Sequence, residues 1–110
     1  MALAEFIEAL FKYQRKGLFK LKLAKTALNL LKKNGKMYFS DLLKEIKDRH
    51  GDFNERLLRK VLKCLRDVRL IRLTKDKGYC YELNDAFYDF LVNTAKQFVV
   101  EFKSKKDYEL

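Results

Sequence analysis

Arg56, Arg59, Lys60 and Lys63 follow one another at spacings of three, one and three, which at 3.6 residues per turn puts all four on one stripe of a helix. Leu58, Val61, Leu62 and Leu65 take the opposite stripe. One face can pack on a core while the other presents charge-assisted donors to phosphate oxygens and base edges. The acceptor to which these residue types point is nucleic acid. Immediately downstream, the stretch from Leu70 to Leu83 alternates with period two around Asp76-Lys77-Gly78, a hairpin pattern with Gly78 supplying the positive φ of the turn.

Charge supports the same acceptor. The chain has 110 residues and a formal net charge of +10, a surplus that opposes folding through self-repulsion and suits a polyanionic partner. Its distribution is uneven. From Lys12 to Lys77 there are 21 Lys or Arg against seven Asp or Glu, and Lys12 to Lys36 holds nine basic residues and no acid. A surface charged only for solubility would tend to interleave helical ion pairs, so segregation favours polyanion binding, with a membrane surface as the competing acceptor. Lys20, Lys22, Lys25, Lys32, Lys33 and Lys36 extend the expected footprint.

Other chemistries find little support. No Gly-rich loop could cradle a phosphate, no Ser or Cys stands beside a candidate base, and the carboxylates are scattered. We therefore expect no enzyme activity, no catalytic residues and no cofactor. Cys64 and Cys80 match no zinc spacing and read as small buried hydrophobes, and His50, without a second histidine, suits a helix C-terminus better than a metal. Glu5 and Glu8 occupy the region where a signal peptide needs cations, and no apolar run reaches the roughly 18 residues of a membrane span. The expectation is a cytoplasmic protein that does not enter a membrane.

The elements that must position the basic stripe are readable in order. Leu3, Phe6, Ile7, Leu10 and Tyr13 recur at helical spacing, predicting a first helix that ends near Gly17; a second runs from about Leu18 to Lys33 and stops at Asn34-Gly35. Met37 to Phe39 is a short extended piece. Ser40 is the expected N-cap of a helix from Asp41 to about Arg49, with Gly51 past its end. Asn54 caps the basic helix, and Phe53 and Leu58 have the spacing of a hydrophobic staple. Tyr79, Tyr81 and Leu83 share one strand face, which assigns both tyrosines to the core rather than to base stacking. After Asn84-Asp85 a last helix is expected, with Phe87, Leu91, Ala95, Phe98 and Phe102 in one stripe.

The order helix, short strand, helix, turn, helix, strand, wing, strand resembles the winged helix-turn-helix superfamily, in its small bacterial, archaeal and viral regulators, over about residues 18–83. The run VLKCLRDVRLIRLT from Val61 is similar to the family's recognition-helix exit, and Tyr81-Glu82-Leu83 to its third strand. Arg69 departs from the pattern, since many members have Gly there. The expected fold class is mainly α with a small β-hairpin: one domain of residues 1–110, with extra terminal helices at 2–16 and 85–104. The resemblance implies that the third helix of the motif enters the major groove of double-stranded DNA while the wing touches the backbone. Carried onto this chain, Asn54, Glu55, Arg56, Arg59, Lys60 and Lys63 become groove candidates. Arg56 and Arg59 are assigned to base edges because a guanidinium contacts guanine bidentately, Lys60 and Lys63 to phosphates, and Arg72, Lys75 and Lys77 to phosphates along the wing.

Phe6, Leu10, Phe87, Leu91, Phe98 and Phe102 offer more apolar surface than a core of this size obviously absorbs, so both terminal helices are expected to make a homodimer. The resulting expectation is a nucleoid-associated, sequence-preferring transcriptional regulator that acts by occupying its site, without a small-molecule effector. A plasmid-partition or chromatin-coating protein would use the same surfaces. An interaction module of a larger assembly, with terminal aromatics binding a protein, is the alternative from another class.

Overall fold

The computed structural model describes residues 2–75, 78–86, 89 and 93. Lys77, Phe87, Leu91, Phe98 and Phe102, and with them most of the expected C-terminal helix, lie outside the described residues; Asp85, Ala86, Asp89 and Asn93 of that segment are helical. The chain runs α1 (Ala2–Phe11), α2 (Gly17–Asn34), β1 (Lys36–Tyr38), α3 (Phe39–His50), α4 (Glu55–Asp67), β2 (Ile71–Lys75) and β3 (Tyr79–Leu83). The three strands form one antiparallel sheet in the order β1-β3-β2, with Met37 opposite Tyr81 and Leu73 opposite Tyr81 on the other side. This is the winged helix-turn-helix arrangement: α3 and α4 form the helix pair, α2 backs them, and β2 with β3 makes the wing.

Helix α2 is the central support, lying against α1, α3, α4 and β3. Its Leu23, Ala24, Ala27 and Leu31 are buried, as are Leu42 and Ile46 of α3 and Leu58, Val61, Leu62 and Leu65 of α4. Each fully buried Leu, Ile or Val contributes roughly 1.5–3 kcal/mol of transfer free energy, so the apolar stripe of α4 fixes which face of that helix looks outward. His50 ties α3 to α2. Thr26 Oγ1 donates to the Lys22 carbonyl at 2.9 Å, so the His50 Nε2–H donates to Thr26 Oγ1 at 2.6 Å. His50 thus closes the helix as expected at its C-terminal residue and also bonds across to the neighbouring helix.

Several boundaries differ from the sequence expectation. Helix α1 ends at Phe11, and a turn intervenes in which Gln14 N–H donates to the Phe11 carbonyl and Gly17 N–H to the Gln14 carbonyl. A Cβ on Gly17 would stand 2.0 Å from the Phe11 carbonyl oxygen, so only glycine lets α2 start this close to the end of α1. The buried pair of α1 is Ile7 and Phe11, whereas Tyr13 leaves the helix and is exposed. Ser40 is not the N-cap of α3: the helix begins one residue before it, at Phe39, with Tyr38 in the cap position and no side-chain cap bond. Burial of Phe39 draws that residue into the first turn and leaves Ser40 exposed within it.

The exit of α4 explains Arg69. Its N–H donates to the Arg66 carbonyl at 2.9 Å and Leu70 N–H to the Leu65 carbonyl at 3.0 Å, the paired bonds of a Schellman motif. Arg69 sits at the left-handed position with φ 64°, where glycine is unstrained. A left-handed non-glycine residue costs about 1–2 kcal/mol, of which glycine's extra unfolded-state freedom returns about 0.5–1. Arg69→Gly should therefore stabilise the protein by up to about 1.5 kcal/mol, read from its urea midpoint. A lower midpoint would mean that the arginine side chain offsets the strain through contacts of its own.

Candidate nucleic-acid interface

Asn54 sets the position of the basic helix. Its side-chain oxygen accepts from Arg56 N–H at 2.9 Å while its carbonyl accepts from Leu57 N–H, so the cap expected from sequence is formed. Phe53, one residue earlier, packs at the edge of the core with its ring edge-on to Phe19 at 5.9 Å. Gly51, at φ 83°, ends α3 by donating to the Lys47 carbonyl, and Lys47 reaches across the turn to Asp52 at 3.2 Å. A capped start and a Schellman finish fix both ends of α4 by hydrogen bonds.

The outward stripe carries Arg56, Arg59, Lys60 and Lys63, all exposed. Among the described residues, Arg56, Lys60 and Lys63 are in no ion pair. Arg59 differs. Its guanidinium lies 4.1 Å from the centroid of the Phe39 ring and 3.5 Å from Glu55 Oε1. Phe39 thus gives Arg59 a platform that orients it at little entropic cost, and Glu55, grouped above with the groove residues, occupies one of its donors. The Phe39 contact was not visible in the sequence, because Phe39 is remote along the chain and sits on a different helix, whereas Glu55 stands four residues before Arg59 at the spacing of a helical ion pair.

The wing places its cations less uniformly. Lys75 is exposed at the outer end of β2, its Nζ 5.9 Å from the Tyr79 centroid. Arg72 is on the other face of the sheet, 3.3 Å from Glu82, which Lys36 also approaches at 3.8 Å. Exposed pairs of this kind are worth at most about 1 kcal/mol and leave Arg72 able to exchange its carboxylate for a phosphate. Lys20 leaves the expected footprint: it is only 9% exposed and donates to Gln14 Oε1 at 3.1 Å.

Between α4 and the wing lies a cleft of about 240 Å³, lined by Arg59, Lys63, Arg66, Leu73, Tyr79 and Tyr81. Among the described residues no carboxylate lines it. Arg66 and Arg69 then meet Arg72 around an adjoining open hollow of about 590 Å³. Arg66 could have been found by continuing the stripe three residues past Lys63. Burial pushes the Tyr81 hydroxyl above the ordinary tyrosine range, the charges of Arg66 and Arg59 pulling the other way. At neutral pH it is a neutral donor at the floor of the cleft.

Tyr79 corrects the sequence reading. Alternation does put it on the face of Tyr81 and Leu83, but those two are buried at 7% exposure while Tyr79 is 49% exposed. Lys75 and Tyr79, the last pair on this face, are both exposed, so the strands run on past the buried part of the sheet.

The chain matches no family model and no curated protein. Among the described residues no group of His, Cys, Asp or Glu could hold a metal ion, and no helix is long and apolar enough to cross a membrane.

The dimerisation candidates divide. Leu10 is half-buried against the protein's own core, while Phe6 is 38% exposed. Ile7 and Phe11, on the adjacent stripe, anchor α1 to α2.

Proposed function

We propose that this protein binds double-stranded DNA with sequence preference through α4, with the β2–β3 wing on the backbone, and that it acts as a homodimeric transcriptional regulator by occupying its site in the cytoplasm. One observation carries the proposal: the exposed face of a helix capped at both ends presents Arg56, Lys60 and Lys63 without partners among the described residues, and Lys75 of the wing flanks the same cleft. Cations without ion-pair partners cost little to redirect to a polyanion, whereas cations already spent in ion pairs must first give those up. Phe6, exposed on α1, supports a second copy of the chain as the partner that pairs two half-sites.

Selection of random duplexes on the purified protein tests sequence preference directly, and inverted half-sites in the selected motif would report the dimer. The electrostatic component has its own expected result. With about five phosphate contacts, affinity should fall about 10²- to 10³-fold between roughly 50 and 200 mM salt. A flat response across that series would remove the phosphate contacts from the proposal.

A further inference from the structure

We infer that the cleft between α4 and the wing receives one unpaired nucleotide, its base stacked on Tyr79 and its phosphate held by Arg59, Lys63 and Arg66, so that the protein prefers a duplex carrying a single-stranded extension to a blunt one. The inference deepens the proposed DNA binding and rests on it. Three observations on separate elements converge. Tyr79 is half exposed on the strand face that buries Tyr81 and Leu83, and an aromatic ring left open to water is a stacking platform for any base. Three cations from α4 line the opposite wall, and Arg59 is already oriented by Phe39. The volume of about 240 Å³ lies below the usual range of about 300–1,000 Å³ for drug-sized ligands and cofactors, which suits a single planar base.

The cleft also explains its own floor. Tyr81 and Leu73 close it from below with apolar surface, and the Tyr81 hydroxyl offers one donor to a base edge or phosphate. Lys75, which lies near the Tyr79 ring at 5.9 Å, is exposed and flexible enough to move aside or to take the next phosphate. A base inside an intact duplex is stacked on its neighbours and cannot enter such a cleft without the cost of unpairing, whereas an unpaired one can.

Fluorescence anisotropy with one duplex, blunt or carrying a short extension on either strand, tests this on the full chain. The extended duplex should bind roughly tenfold or more tightly, the gain that one base–aromatic stack supplies. Tyr79→Ala should abolish that gain, so that extended and blunt duplexes bind this variant equally, while Tyr79→Phe, which keeps the ring, should retain it. Equal binding of blunt and extended duplexes by the unmodified protein would overturn the inference. So would a Tyr79→Phe variant that behaves like Tyr79→Ala, since the hydroxyl rather than the ring would then matter. If blunt duplex is not bound but a single strand is, and Tyr79→Ala abolishes that binding, the duplex proposal falls and the cleft stands.

Discussion

Phe11→Ala should lower the free energy of unfolding by about 3–5 kcal/mol, the cost of removing a fully buried phenyl ring and leaving its cavity. Phe11 is 1% exposed and, with Ile7, is the part of α1 that enters the core. Phe6→Ala, on the exposed stripe of the same helix, should cost under about 1 kcal/mol. Urea denaturation of the two variants side by side measures how firmly α1 belongs to the domain. Comparable losses would mean that Phe6 is as important to the fold as Phe11. The contrast also selects the residue with which to probe self-association. Phe6 can be replaced by a charged residue without opening the core, so a change in its sedimentation can be read as a change in oligomeric state.

Arg56→Ala should relax sequence preference at one base pair by about 1–3 kcal/mol, the worth of one bidentate contact to guanine. Arg56 is exposed at the start of α4, where the Asn54 cap fixes its backbone. Arg59→Ala should do less at any single base pair, because its guanidinium is shared with Glu55 and the Phe39 ring. Lys75→Ala should weaken every duplex nearly equally, since phosphate contacts position the protein without reading sequence. Affinities for a panel of single-base-pair variants of the selected site distinguish these outcomes. A uniform loss for Arg56→Ala would assign that residue to the backbone.

The elements legible in the sequence were those fixed by local chemistry. Asn54 before Glu55-Arg56-Leu57-Leu58 marks a helix start because the cap bond spans two residues, and the alternation of β2 and β3 marks a hairpin because each strand pairs with its sequence neighbour. What escaped depends on the tertiary environment. Ser40 has the right side chain for a cap, yet burial of Phe39 starts the helix sooner. Phe6 with Leu10 and Ile7 with Phe11 are adjacent stripes of one helix, and only the position of α2 decides which is buried. Tyr79 shows the limit of periodicity: a period of two tells which face a residue shares, but not how far the layer beneath that face extends. Arg69 was noticed as a departure, and its meaning emerged only with the φ angle that its position requires.

The strand order carries a consequence for assembly. β3 alone touches both other strands, and it comes last among the described elements. β1 and β2 therefore have no partner in the sheet until β3 has been made. The wing can zip locally within microseconds, but the clasp of Lys36 to Tyr38 onto Cys80 to Glu82 must close a loop that contains all of α3 and α4. Both helices of the pair are thus enclosed between a strand that precedes them and a strand that follows the wing, like pages held by a latch. Glu82, flanked by Lys36 on β1 and Arg72 on β2, is the pin of that latch, spanning all three strands with one carboxylate. A truncated chain lacking β3 would keep the letters of the basic helix and lose the frame that aims it.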